Sequence, residues 1–153
     1  MKLDGSNGHG NSREAKPRLL VVDDEEALLR AFERTFRKLY DIRTCTSAEA
    51  ALAALAEQEV DVLVTDFSMP GMNGIDLLQQ VMVRHPSVAR LMLTAYADLP
   101  EVVELKRRGL AYSVLMKPWN RDEVEGAVSR ALRLASMRHA VARLRAQVDS
   151  PKH

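Results

Sequence analysis

Three carboxylates and one lysine stand at the C-terminal ends of three apolar runs. Asp23-Asp24 follow Leu19–Val22, Asp66 follows Val60–Thr65, and Lys117 follows Val114–Met116. A fourth run, Val88 to Thr94, ends in a hydroxyl. Hard oxygen donors grouped in this way suit Mg2+, which takes carboxylates and keeps several of its waters. If two carboxylates hold the metal, the third is free to act as a nucleophile. A carboxylate that attacks phosphorus forms an acyl phosphate. Lys117 and the metal would neutralise the equatorial oxygens, and Thr94 would hydrogen-bond the phosphoryl group once it is present. This is the equipment of an Mg2+-dependent phosphoryl acceptor. A helix-capping role would account for Asp23 or Asp24 alone. It leaves the second acid and the lysine, both at other strand ends, without a reason.

The elements that must position these groups alternate regularly. Five apolar runs read as strands: Arg18 to Val22, Asp41 to Cys45, Val60 to Thr65, Val88 to Thr94 and Tyr112 to Met116. Helices follow each of them. The first opens at Asp24-Glu25-Glu26, with acids at the positive end of its dipole, and buries Leu28, Leu29, Phe32, Phe36 and Leu39. The second opens at the capping box Thr46-Ser47-Ala48-Glu49 and runs to about Gln58. The third spans about Gly74 to Arg84 after a turn-rich loop, Met69-Pro70-Gly71 and Asn73-Gly74. It is buried through Ile75, Leu78, Val81 and Met82, and His85-Pro86 stops it. The fourth is capped by Asp98, carries Pro100 in its first turn and ends at Gly109. The fifth starts at Asn120 and runs to about Val148. Strands alternating with helices require a mostly parallel sheet covered on both faces, an α/β doubly wound fold. In such sheets ligands sit beyond the carboxyl ends of the strands, where Asp66 lies.

Composition narrows the class. A chain of 153 residues, 46% apolar and 28% charged, is one ordinary globular domain with a real core. Its single cysteine, Cys45, excludes an internal disulfide and a cysteine zinc site, and reads as a buried inert thiol. No apolar stretch is long enough for a membrane span, and a cytoplasmic protein is expected. Residues 1–17 are rich in Gly, Asn and Ser and read as a disordered tail. The net charge of +1 hides an asymmetry: residues 18–120 carry 12 basic and 15 acidic side chains, residues 121–153 carry 7 and 4.

The last helix holds that basic excess and is longer than the domain needs. Val124, Ala127, Val128, Ala131 and Ala135 form its core-facing stripe. Beyond them Leu134, Met137, Val141, Leu144 and Val148 fall in an a/d pattern, which suits a short coiled coil over residues 136–153. The flanking Arg133, Arg138 and Arg145 would repel in a parallel pair and favour an antiparallel twin or a different partner. Arginines without interleaved aromatics make nucleic acid the weaker option.

Together the motifs resemble the bacterial two-component response regulator receiver domain. They are Asp23-Asp24, Asp66 with Met69-Pro70-Gly71-Met72-Asn73-Gly74 beyond it, Thr94-Ala95, and Lys117-Pro118, in order and at matching spacing. The match covers about residues 18–135, and Trp119 after Lys117-Pro118 places it in a Lys-Pro-Trp subset. The resemblance implies a flavodoxin-like, CheY-like sheet in the order 2-1-3-4-5 with five helices, the last extended. It implies that Asp66 is the phosphoacceptor for a sensor histidine kinase. Asp24, Asp66 and the backbone carbonyl of Ser68 would bind Mg2+ directly, and Asp23 through water. Lys117 would pair with the phosphoryl oxygens and Thr94 would move toward them. One position departs from the pattern: Val114 stands where the family usually has Tyr or Phe as the threonine's switch partner.

The expected function is a phosphorylation-dependent signalling switch, not a dedicated enzyme. Its face of helix 4, strand 5 and helix 5 would control binding of a downstream protein or self-association through the last helix. The competing expectations are a phosphorylation-independent receiver-like scaffold and the receiver portion of a longer DNA-binding regulator. A haloacid-dehalogenase-like phosphatase needs an acid two residues after the nucleophile, and Ser68 stands there instead.

Overall fold

The computed structural model describes residues 15–149; most of the expected N-terminal tail, and residues 150–153, lie outside the described residues. Five strands, β1 (Arg18–Val22), β2 (Asp41–Cys45), β3 (Val62–Thr65), β4 (Ala89–Thr94) and β5 (Ser113–Met116), form one sheet. Every pairing is parallel and the order is β2-β1-β3-β4-β5, as expected. Five helices connect and extend them: α1 (Glu26–Phe36), α2 (Ala48–Glu57), α3 (Gly74–Arg84), α4 (Pro100–Arg107) and α5 (Arg121–Asp149).

Strand periodicity builds two cores. Leu20, Val22, Leu63 and Met92 point to the side covered by α2, α3 and α4. Leu19, Val21, Val62, Val64, Leu91 and Leu93 point to the side covered by α1 and α5. The central strands β1, β3 and β4 are buried on both faces, which is why they read as continuous apolar runs. On α1, Leu29, Phe32 and Phe36 occupy one stripe, and Phe32 and Phe36 are fully buried. Trp119 reaches over from the loop after β5 and packs on both rings, with centroids 5.8 and 5.5 Å away. It therefore belongs to the α1 side of the core and not merely to its own loop.

Local chemistry moves several boundaries. The residue before a proline is driven into extended backbone, so Leu99, at ψ 142°, becomes the N-cap of α4 and Asp98 falls outside the cap. Ser47 is likewise extended, and its hydroxyl accepts from Ala50 N at 3.1 Å. Thr46 is therefore not the cap of α2, and Glu49 sits one position too early for a capping box. Helix α1 begins at Glu26, because Asp24 and the extended Glu25 remain in the loop after β1. On α3 the buried stripe is Gly74, Leu77, Leu78 and Val81, whereas Met82 is exposed. Asn73 and Asn120 cap α3 and α5 through their side-chain oxygens, at 2.9 and 3.0 Å. Gly109 ends α4 with a positive φ of 75°. Cys45 is half-buried, and burial raises its thiol pKa, in keeping with an inert thiol.

Gly74 is fixed by proximity. A Cβ there would stand 2.1 Å from the Asp66 carbonyl oxygen and 3.0 Å from the Phe67 Cα. The same approach lets Gly74 N donate to Phe67 O at 2.9 Å, closing the loop that carries Asp66. Backbone cannot yield as a flexible side chain can. Gly74→Ala is therefore expected to cost about 1–3 kcal/mol of stability in urea unfolding. A variant as stable as the parent would show that the loop relaxes freely.

Candidate functional site

The ladder of the parallel sheet continues one step past the strands and carries the polar residues with it. Asp23 N donates to Cys45 O at 3.1 Å, Asp66 N to Val22 O at 2.9 Å, and Lys117 N to Thr94 O at 2.9 Å. Side chains from three strand ends thus converge with their backbones held by hydrogen bonds. Asp23, Asp24 and Asp66 place one carboxylate oxygen each within 4.8 Å of one another. Asp23 and Asp66 are buried, and Asp24 opens to solvent.

The carboxylates have few local donors. Asp23 Oδ1 accepts from Glu25 N at 2.9 Å, a turn that holds the acid in place. Asp66 Oδ1 accepts from Phe67 N at 2.8 Å. Their other oxygens face Lys117, whose Nζ donates to Asp23 Oδ2 at 2.7 Å and lies 3.4 Å from Asp66 Oδ2. Glu25 Oε1 stands 3.9 Å from the same ammonium. Burial works against the Lys117 charge. The hydrogen bond and negative charge of Asp23, with Asp66 behind, outweigh it and hold the lysine pKa above its usual value. Asp66 moves upward: burial is the main cause and the charge of Asp23 adds to it. Lys117 and the Phe67 N–H oppose the rise and do not cancel it.

Thr94 is fully buried, and its Oγ1 accepts from Tyr96 N at 3.1 Å. Ser68 has an exposed side chain on the loop after β3. Val114 is partly buried and packs on the α2–α3–α4 side of the core. Beside it lies an open groove of about 550 Å³ lined by Val102, Val103 and Lys106 among others. Tyr96 and Tyr112 are both exposed, at 50% and 39%.

All the carboxylates expected from the sequence, together with Lys117, come together at one end of the sheet. Two contributors were not legible there. Gly74 supports the Asp66 loop by contact, for which Asn73-Gly74 gave only a turn signal. Glu25 approaches Lys117 although it reads simply as a first-turn acid. The three carboxylates suit a divalent cation by donor type and by spacing. Among the described residues no helix is long and apolar enough to cross a membrane.

Residues 19–129 match the family model of the response regulator receiver domain. The hydrogenase transcriptional regulatory protein HoxA of Cupriavidus necator is 31% identical over 126 residues, 82% of this chain and 26% of its own. The DNA-binding transcriptional regulator NtrC of Salmonella typhimurium is 39% identical over 115 residues, 73% of this chain and 24% of its own. The chain thus spans about a quarter of the length of these curated relatives. The signal receiver domain of an HD domain-containing protein from Pseudomonas fluorescens superposes with a TM-score of 0.75 at 30% identity, covering 80% of this chain and 98% of that one. The strand order, the acidic cluster and the matched segment agree, and the chain belongs to the response regulator receiver domain family of two-component systems.

Proposed function

We propose that Asp66 accepts a phosphoryl group from a sensor histidine kinase and that the chain works as a phosphorylation-controlled switch. The observation that carries this reading is the acidic cluster facing a single ammonium, with Lys117 Nζ 2.7 Å from Asp23 and 3.4 Å from the buried Asp66. An Asp66 carboxylate oxygen attacks the phosphorus of a phosphohistidine. The P–N bond breaks, an acyl phosphate forms, and the departing imidazole takes up a proton. Asp23, Asp24 and Asp66, with the Ser68 carbonyl, are the groups that would hold Mg2+. The bound cation would supply positive charge against the phosphoryl oxygens.

The chain's own residues do the rest. The Phe67 N–H holds one Asp66 oxygen and leaves the other toward Lys117. Lys117, already 3.4 Å from Asp66 Oδ2, reaches the incoming phosphoryl oxygens by a small rotation away from Asp23. Thr94 turns its hydroxyl from Tyr96 N toward the new acceptor oxygens. The phosphoryl group adds roughly −1.5 to −2 charge and three acceptor oxygens, enough to bias loops on either side of β4. Val114 offers that motion an open groove where the family usually places an aromatic ring.

The output surface we assign is the second half of α5. Met137, Val141, Leu144 and Val148 are 63%, 49%, 61% and 81% exposed, an apolar stripe without cover among the described residues. An antiparallel second copy would bury it while separating the flanking arginines. A second reading, the receiver portion of a longer DNA-binding regulator, is supported by the relatives. NtrC carries that activity in its name, and the chain matches about a quarter of it. In that case the same helix leads toward the rest of the regulator.

Acetyl phosphate with Mg2+ is expected to add one phosphoryl group by intact mass, and Asp66→Asn to add none. Addition without Mg2+, or to the variant, would refute the assignment. Lys117→Ala is expected to cost at least about tenfold in phosphorylation rate, as loss of one preorganised charge on the phosphoryl oxygens does.

Stability offers an independent reading of the cluster. The folded pKa of Asp66 is raised, so ionising it opposes folding. That cost is absent below the ordinary carboxylate range. It grows as pH rises from the ordinary carboxylate range up to the raised folded value and is constant above it. In metal-free buffer Asp66→Asn should melt above the wild type near neutral pH, and the gap should close toward about pH 4. Equal melting temperatures at both pH values would exclude a raised Asp66 pKa in the folded chain.

Sedimentation with and without acetyl phosphate tests the helix. Phosphorylation is expected to change self-association, and Leu144→Glu to weaken it at least about tenfold, one desolvated charge being sufficient. Association indifferent to both would remove α5 as the output surface.

A further inference from the structure

A second polar site lies at the other end of the sheet. A cavity of about 230 Å³ opens between the start of β4, the end of α4, the start of β5 and the middle of α5. Four nitrogen-bearing side chains line it, Arg90, Lys106, Arg138 and His139, and no acidic residue does. Arg90 is the second residue of β4 and lies four residues before Thr94, about 13 Å along the strand, so the cavity is remote from the acidic cluster.

Arg90 is the unusual member. It is 8% exposed, in a position where a charged side chain is normally paired. Among the described residues it makes no ion pair. Its Nε donates to Leu110 O at 2.8 Å and its Nη1 to Val88 O at 3.4 Å. A guanidinium carries five N–H donors, so three are left without a partner among the described residues. Its neighbour in charge is another guanidinium, that of Arg138. Burial lowers the pKa of Arg90, and the nearby Arg138 charge adds to the shift. The carbonyl end of α4, which would otherwise repel an anion, is already satisfied. Gly109 N donates to Lys106 O at 3.1 Å and Leu110 N to Leu105 O at 3.0 Å.

We propose that this cavity is a binding site for a small phosphate-bearing anion, held by the Arg90 and Arg138 guanidiniums with Lys106 and His139 at the rim. Planar guanidiniums match the oxygens of phosphate in bidentate geometry, and a partly buried setting strengthens each bond. The volume lies just below that of drug-sized ligand pockets, which suits one or two phosphate groups better than a large organic ligand. Inorganic pyrophosphate and the diphosphate of a nucleotide share this chemistry. The site is separate from the phosphoacceptor reading and does not depend on it.

The test is titration of the full chain with inorganic pyrophosphate in EDTA, which keeps metal-bridged binding away from the carboxylates. Binding is read by calorimetry and by amide shifts. Saturable binding is expected, with the largest shifts at Gly109, Ala111 and Tyr112. Arg138→Ala and Lys106→Ala, both at exposed positions, should each weaken it at least about tenfold, the size of one charge-assisted contact. Arg34→Ala, an exposed arginine outside the cavity, should leave it unchanged. ADP in place of pyrophosphate separates the sources: tighter binding identifies a nucleotide, weaker binding an inorganic anion. The proposal is overturned by an absence of saturable binding, by shifts centred on Asp23 and Asp66, or by equal losses in Arg138→Ala and Arg34→Ala.

Discussion

One ammonium, Lys117 Nζ, stands between carboxylates that would otherwise repel one another. It comes from the end of β5 and meets Asp23 from the end of β1, 94 residues away, at 2.7 Å. Asp66, between them in the sheet order, lies 3.4 Å from the same nitrogen. Two buried acids share one lysine, and burial, with the charge of Asp23 adding to it, raises the Asp66 pKa in spite of that lysine. A buried ion pair of this kind contributes little net stability, because desolvation offsets much of the attraction. Its value lies in geometry. It holds three carboxylates and one ammonium together at the carboxyl end of the sheet.

The rest of the fold can be read as support for that arrangement. Parallel pairing brings all five carboxyl ends to one edge, and the ladder bonds beyond the strands carry Asp23, Asp66 and Lys117 as rigidly as strand residues. Gly74 then lets α3 begin against the Asp66 carbonyl. On the other face, Phe32 and Phe36 anchor Trp119 and so the loop that follows Lys117. Helix α5 combines two roles in one element. Its first half is a wall of the core through Val124, Ala127, Val128 and Ala131. Its second half leaves an apolar stripe exposed to solvent.

Legibility followed physical origin. Runs of β-branched and aliphatic residues, caps and glycine stops are local signals, and they located every strand and helix to within a few residues. Errors arose where two local signals competed. Asp98 resembles a cap, but Pro100 forces Leu99 into that role. Thr46 and Ser47 both resemble caps, and only Ser47 accepts from the helix. Met82 and Leu77 are equally apolar, and the docking angle of α3 decides which is buried.

By itself the sequence determined the alternation of strands and helices, and hence that Asp23, Asp24, Asp66, Thr94 and Lys117 lie at strand ends. Periodicity and turn chemistry act over a few residues and survive in one dimension. Tertiary structure alone decided who touches whom. Lys117 rests on Asp23, Gly74 approaches the Asp66 carbonyl, and Trp119 sits on α1. Arg90, an ordinary surface residue by composition, is buried beside Arg138 in a cavity without acids. These contacts depend on distances between segments far apart in the chain, which are fixed only when the sheet and its helices close around one another.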